Sequence, residues 1–275
     1  MIPRGFDYYL PDSWREAVDI FASVQREGKT PLYYGGGTEI LSMARVGSVS
    51  PDAVIDIKRI PECLSMDGDG ARLRFGAALT LNEIRDSRLF PLLSLAAGRI
   101  ADHTIQCKLT LGGNLAGTIL YHETLLPLLL ADATLETACA QGIRQTPVAQ
   151  ALGMDRKLPS GELILGVILD SRYAACPYAH IKKPKIEKIG YPLVSVAAIN
   201  VDGMLRLAAS ALCAFPFRFR DFPLAGADAA DFSRQLRGEL PAPVLDNLDG
   251  SPAYRQFIFE QTAEKIVREF QGRQG

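Results

Sequence analysis

The chain has 275 residues, 48% of them hydrophobic, and its 30 basic and 31 acidic side chains leave a net charge of −1. That length supports a core divided among two or three subdomains. The balanced charge excludes the long-range attraction on which binding to nucleic acid or an anionic membrane depends.

The N-terminal MIPRGFDYYLPDSW lacks the apolar centre of a signal peptide. In PDSWREAVDIFASVQREG, Ser13 and Glu16 have the spacing of a capping box. Ala17, Val18, Ile20, Phe21 and Val24 continue as an apolar stripe to Gly28, which predicts a helix. PLYY reads as a short strand, Gly35–Gly37 as a turn, TEILSMAR as a second helix and AVIDIKRI as a buried strand. Residues 1–58 are therefore expected to form a small α/β unit.

A second α/β unit is expected over 59–173. ARLRFGAAL reads as a strand, TLNEIRDSRLF starts a helix with a second capping box (Thr80 and Glu83), and PLLSLAAGRIA continues as an apolar helix. ETLLPLLLADA reads as helix and GELILGVIL as a buried strand. The greasiest run, TLLPLLLADATL, is too short to span a bilayer and contains Pro127. A cytoplasmic protein without a membrane span is expected.

Over 174–275 the pattern changes to α+β. YPLVSVAAINVDGMLRLAASAL reads as two strands joined at Asp202-Gly203, a strong hairpin signal. SPAYRQFIFEQTAEKIVREF reads as a long amphipathic helix, and 215–250, rich in Pro, Gly and Asp, as loop.

Several familiar sites fail on spacing. GKT at Gly28–Thr30 lacks the upstream glycine of a P-loop, because position 23 is Ser23. Gly35 and Gly37 begin a dinucleotide fingerprint whose third glycine falls on Ile40. There is no G-x-S-x-G elbow, and His103, His122 and His180 have no metal-ligand spacing. Cys63, Cys107, Cys139, Cys176 and Cys213 show no CxxC pair, which speaks against a disulfide framework or an iron–sulfur or zinc site. The basic run Lys182 to Lys188 reads as a solvated loop or as an anion contact beside a ligand.

Two glycine clusters remain, GGGTE (Gly35–Glu39) and TLGGN (Thr110–Asn114), each after an apolar run and before a helical pattern. Either alone is an ordinary turn. Together, two turns that aim backbone amides at one point could clamp a diphosphate from both sides, with Thr38, Thr110 and Asn114 adding side-chain hydrogen bonds. On this reading the glycines make room for phosphates.

LYYGGGTEIL, TLGGNLAG and LLPLLLADATLE, in this order and spacing, resemble the FAD-binding subunit of the molybdenum hydroxylases, which include bacterial xanthine dehydrogenases and aerobic carbon monoxide dehydrogenase. The resemblance runs over nearly the whole chain. It implies the α+β vanillyl-alcohol-oxidase-like (PCMH-type) FAD-binding fold of two α/β subdomains. To these it adds a C-terminal α+β domain like that of the carbon monoxide dehydrogenase flavoprotein.

By the same resemblance, Tyr33, Tyr34, Gly35, Gly36, Gly37, Thr38, Glu39 and Ile40 wrap the FAD pyrophosphate and neighbouring groups. Thr110, Gly112, Gly113 and Asn114 form the second wall, and Glu123 holds the sugar or base end. Leu163 and Ile164 pack on the cofactor, and Ile181 and Lys182 fall at flavin-contacting positions. Glu123 stands where relatives often have Asp, and GTILYHE replaces a segment commonly rich in Asn, Ser and Pro. DHTIQCKLT replaces a Pro-x-Ile-Arg-Asn form, so Gln106 and Lys108 take the place of an arginine.

The implied function is electron transfer as a xanthine dehydrogenase-like oxidoreductase subunit, with no acid–base catalyst in this chain. A molybdopterin-binding large subunit would oxidise the substrate, purines being favoured, and a 2Fe-2S small subunit would pass electrons to FAD. NAD or another molecule would accept them. The alternatives are a stand-alone flavin oxidoreductase of the same fold and a non-catalytic homologue that has lost FAD.

Overall fold

The computed structural model describes residues 4–152, 158–185 and 190–272. Ile186, Glu187 and Lys188 of the basic run lie outside these residues.

The first unit comprises β1 (Asp7–Tyr9), α1 (Trp14–Arg26), β2 (Pro31–Tyr34), α2 (Thr38–Arg45) and β3 (Ala53–Asp56). Its sheet is parallel, in the order β1-β3-β2. Parallel neighbours need a crossover connection, and α1 and α2 supply it. The Ser13 hydroxyl caps α1 by accepting from the Glu16 amide at 3.2 Å. Glu16 turns back one residue further than a capping box requires and accepts from the Asp12 amide at 3.0 Å. Of the predicted stripe Ala17, Val18, Phe21 and Val24 are buried, joined by Trp14, and Ile20 is half-buried.

The second unit opens with α3 (Pro61–Leu64), β4 (Met66–Gly68) and β5 (Arg72–Gly76). It continues with α4 (Leu81–Ser87), α5 (Pro91–Ala97), α6 (His103–Gln106), α7 (Leu111–Ala116) and α8 (Leu125–Leu130), and closes with β6 (Thr134–Cys139), β7 (Gly142–Pro147), α9 (Val148–Ala151) and β8 (Leu163–Asp170). Its antiparallel sheet has the order β4-β5-β8-β6-β7. The capping box at α4 is complete: Glu83 donates its amide to the Thr80 hydroxyl, and its carboxylate accepts from the Thr80 amide at 2.7 Å. The helix expected over ETLLPLLLADA stops at Leu130, where Asp132 at φ 47° turns the chain into β6. The apolar run crosses that boundary because helix and strand both enter one core. β8 lies mid-sheet and is buried from Leu163 to Val167, hence its continuous apolar run.

The C-terminal unit contains β9 (Tyr178–Pro184), β10 (Pro192–Val201), β11 (Met204–Ser210), β12 (Phe217–Arg218), β13 (Phe222–Pro223), α10 (Ala229–Gly238) and α11 (Pro252–Gly272). The sheet runs β12-β11-β10-β9, with β13 also on β11. Asp202 and Gly203 both have positive φ, 52° and 82°, as a type I′ hairpin turn requires. On one face of the sheet Val194, Val196, Leu205 and Leu207 pack with Phe259, Ile266 and Phe270 of α11. On the other, Ala197, Ile199 and Ala208 join the large core of the two preceding units. The region 215–250, expected as loop, carries β12, β13 and α10, and the Asp228 carboxylate caps α10.

Arg255 on α11 is fully buried. Its guanidinium donates to the carbonyls of Leu193 at 2.6 Å and Ala211 at 3.0 Å, and to Asn247 Oδ1 at 2.6 Å. It thereby fastens the open end of the β10–β11 hairpin to the helix.

Candidate functional site: two glycine turns that meet

β2 ends at Tyr34, and the chain reaches α2 through Gly35, Gly36 and Gly37. Each glycine faces protein atoms. A Cβ at Gly35 would stand 2.5 Å from Thr110 Oγ1, and one at Gly36 would fall on the Lys108 carbonyl oxygen. One at Gly37 would enter the Tyr34 ring, and Gly37 is left-handed with φ 69°. The glycines thus first admit the second loop and the Tyr34 ring, where the sequence suggested that they make room for phosphates. Lys58 braces the turn: its ammonium donates to the Gly35 carbonyl at 2.9 Å and to Asp56 at 2.7 Å, 4.7 Å from the centre of the Tyr34 ring. Asp56 also accepts from the Tyr8 hydroxyl at 2.6 Å, which pushes Tyr8 up to about 12.

The second cluster is a helix start and not a free turn. Thr110 caps α7, so Gly112, Gly113 and Asn114 lie inside the helix. The Thr110 hydroxyl accepts from two amides, Gly36 of the first turn and Gly113 of the second, both at 3.3 Å. Gly112 packs on Ala77, where a Cβ would stand 2.8 Å from the Ala77 Cβ. Asn114 Oδ1 accepts from the Thr124 hydroxyl at 2.6 Å, and the Asn114 carbonyl accepts from His122 Nδ1 at 2.6 Å.

Both acids named from the sequence are engaged away from these amides. Glu39, in the first turn of α2, accepts from the amide and the hydroxyl of Thr118, each at 2.7 Å. Glu123 is 3% exposed and pairs with Lys182 of β9 at 2.9 Å. Burial pushes the Glu123 carboxyl above the usual carboxylate range, and the Lys182 ammonium pulls it back. Lys182 also donates to the Arg99 carbonyl at 2.9 Å. Its side chain is 6% exposed, which is no solvated-loop lysine.

His180 lies two residues before Lys182 on β9, on the same face of the strand, and is buried. Arg99 Nη1 stands 3.2 Å from His180 Nδ1, and Ser195 Oγ stands 3.0 Å from Nε2. A guanidinium only donates, so Nδ1 accepts and Nε2–H donates to Ser195. Burial, then Arg99 and Lys182, lower the imidazole to about 3, and it is neutral.

The remaining expected residues are dispersed. Tyr33 stacks on Phe21 with centroids 4.9 Å apart, and its hydroxyl donates to the Gly161 carbonyl at 3.0 Å. Thr38 and Ile40 are half-buried in α2. Leu163 and Ile164 are buried in β8, within the large core. Ile181 packs against the C-terminal core. Tyr8, Asp56, Lys58 and Thr118 support the site without having been read from the sequence. The signal available for two of them was VIDIKRI, where polar Asp56 and Lys58 flank buried Ile57.

A model of the FAD-binding domain of molybdopterin dehydrogenases matches residues 4–170. The chain belongs to that family. The carbon monoxide dehydrogenase medium chain of Hydrogenophaga pseudoflava is 33% identical over 42% of this chain and 41% of that one. The 6-hydroxypseudooxynicotine dehydrogenase complex subunit alpha of Paenarthrobacter nicotinovorans is 29% identical over 61% of this chain and 57% of that one. The chain thus spans 41% and 57% of the length of these two curated relatives. Reconstituted CO dehydrogenase from Oligotropha carboxidovorans superposes with a TM-score of 0.83 at 18% identity, covering 96% of this chain and 97% of that one. At that identity the likeness shows the fold, which is the α+β fold expected from the sequence.

The family's cofactor is FAD, and the start of α2, docked on Thr110 through Gly36, fits its diphosphate. The first amides of a helix lack intrahelical acceptors and favour anions. At α7 these amides already have acceptors, Leu111 in the Leu79 carbonyl, Gly112 in the Ala77 carbonyl, Gly113 in the Thr110 hydroxyl and Asn114 in the Thr110 carbonyl, so the donors left for an anion are the first amides of α2, docked beside Thr110. With Glu39 and Glu123 committed to Thr118 and Lys182, no carboxylate of the expected set competes for these amides.

Proposed function

We propose that this chain is the FAD-carrying electron-transfer subunit of a molybdenum hydroxylase complex. The observation that carries the reading is the meeting of the two glycine turns at Thr110, with the nearby carboxylates turned away. Bound FAD supplies reversible acceptance of one or two electrons; the chain supplies position and electrostatics. Gly35–Ile40 and Thr110–Asn114 hold the diphosphate and its surroundings, and Tyr33, Leu163 and Ile164 support the enclosing core. Glu123, Lys182 and Ile181 join the second unit to the C-terminal unit.

No two of the five cysteines have CxxC spacing, which supports assigning the 2Fe-2S clusters to a small partner chain and substrate oxidation to a molybdopterin-binding large one. The finer form of the reading is a cytoplasmic, xanthine dehydrogenase-like complex with purine as substrate and NAD as acceptor. Among the described residues, no helix is long and apolar enough to cross a membrane.

The test is purification of the tagged chain from its native host, with identification of released flavin and co-purifying chains and with iron and molybdenum analysis. FAD with both partner chains is expected. Flavin released as FMN, or FAD-loaded chain without partners, would sink the reading, the latter in favour of a stand-alone flavoprotein. Activity of the complex on purines with NAD tests the finer form.

A further inference from the structure

The geometry points to Thr110 as a positioning residue: its hydroxyl is the spacer that docks the first glycine turn, whose α2 amides would meet an FAD diphosphate, against the start of α7. The inference rests on the FAD reading above and adds a role to a residue expected only to line the site.

Thr110 Oγ1 accepts from the amides of Gly36 and Gly113, both at 3.3 Å, although these residues belong to different units of the chain. The residue is 2% exposed, so water cannot replace the hydroxyl without rearrangement. Its backbone is held too: Thr110 bridges to Thr80, and the Leu111 and Gly112 amides donate to the Leu79 and Ala77 carbonyls at 2.9 and 2.8 Å. The oxygen therefore has a fixed place relative to the second unit. The first turn docks on it, with the Gly36 amide as the contact. One oxygen atom thus fixes the first turn, and the α2 amides that follow it, against the start of α7.

Gly35 is the complement of this spacer. A Cβ there would stand 2.5 Å from Oγ1 but 3.5 Å from the Thr110 Cβ. The obstacle to a side chain at 35 is the hydroxyl oxygen itself. Gly35 has no positive φ, so alanine meets no backbone penalty there.

The experiment uses the full chain, with Thr110→Ser, Thr110→Val, Thr110→Ala, Gly35→Ala and the double variant Gly35→Ala/Thr110→Ala. Two readouts are taken: hydrogen exchange at Gly36 and Gly113 in apo protein, and FAD affinity by flavin titration. Thr110→Val removes the acceptor of two amides, so both should exchange about tenfold faster or more, and FAD affinity should fall by about tenfold or more. Thr110→Ser keeps the oxygen and should restore both readouts to within about threefold of wild type.

Gly35→Ala should unfold or severely destabilise the wild-type background but be tolerated with Thr110→Ala, because the clashing oxygen is gone. This non-additivity keeps the test decisive if Thr110→Val fails to fold. Unchanged exchange at both amides in a folded Thr110→Val, or additive costs at 35 and 110, would overturn the spacer. So would deprotected amides with undiminished FAD affinity. Wild-type protein that keeps both amides protected yet binds no FAD would instead overturn the FAD reading, and with it the cofactor role assigned here.

Discussion

Lys182 of β9 reaches Glu123, at the start of the segment leading into α8, across 2.9 Å, with side chains only 6% and 4% exposed. The pair joins the C-terminal sheet to the second α/β unit. Lys182 is held from a second side by the Arg99 carbonyl, so neither partner can turn out to water without breaking further contacts.

Removing one partner of such a pair leaves an uncompensated buried charge, at a cost of about 3–5 kcal/mol. Glu123→Gln and Lys182→Met are each expected to lower unfolding free energy by about that amount in urea titrations. The double variant Glu123→Gln/Lys182→Met should recover much of the loss. Additive losses would mean that the two side chains do not act as a pair.

The neutral buried His180 makes stability acid-sensitive. Its value is lowered from 6.5 to about 3 in the fold, so below 6.5 the unfolded chain takes up a proton that the folded chain refuses. Stability is therefore lost as pH falls from 6.5 towards about 3, at up to roughly 1.4 kcal/mol per pH unit. Glu123, raised by burial, acts in the opposite sense, because the fold binds its proton more tightly. Comparison of wild type with His180→Gln isolates the histidine. The variant's advantage should grow on acidification; a constant difference across that window would show that the imidazole titrates normally.

Gly36 and Gly113 should respond differently to alanine. At Gly36 the new Cβ meets the rigid Lys108 carbonyl, so Gly36→Ala is expected to lose at least about 3 kcal/mol of stability. At the exposed Gly113 the nearest atom is Thr110 Oγ1 at 3.0 Å, so Gly113→Ala should fold with FAD affinity reduced about tenfold. Thermal unfolding of the apo proteins and flavin titration separate the two effects. Equal melting temperatures would contradict the close approach at Gly36.

Arg255→Met should destabilise the C-terminal unit by about 2–4 kcal/mol, because the Leu193 and Ala211 carbonyls would lose a charged donor in a dry place. Arg255→Lys should rescue only part of this, since one ammonium cannot span the same acceptors as a planar guanidinium. Urea titration with limited proteolysis of the β10–β11 region checks both.

The features legible in the sequence were those written in short-range chemistry. Thr80 with Glu83 marked the start of α4, and Asp202-Gly203 marked the hairpin, because each signal is confined to a few neighbouring residues. The glycine clusters announced a close approach, but not what approaches. That depends on Lys108 and Thr110 meeting Gly36, a contact no local pattern encodes. The Glu123–Lys182 pair was hidden for the same reason, although both residues had been singled out. The β6–β7 hairpin was missed because its first strand continues the apolar run of α8, and β1 because three residues are too few to display a period.

Tyr33 donates to a carbonyl 128 residues further along the chain, and Gly36 donates to a hydroxyl 74 residues on. The N-terminal unit therefore emerges from the ribosome with its glycine turn lacking both supports. At roughly 5–20 residues per second, the partner of Tyr33 is synthesised about 6–26 seconds later. Until Thr110 follows, 74 residues after Gly36, the nascent chain holds only half of the proposed clamp, and even then Tyr33 lacks its partner. Flavin capture is consequently a late event in biosynthesis, and stalled chains ending before Gly161 should emerge without cofactor.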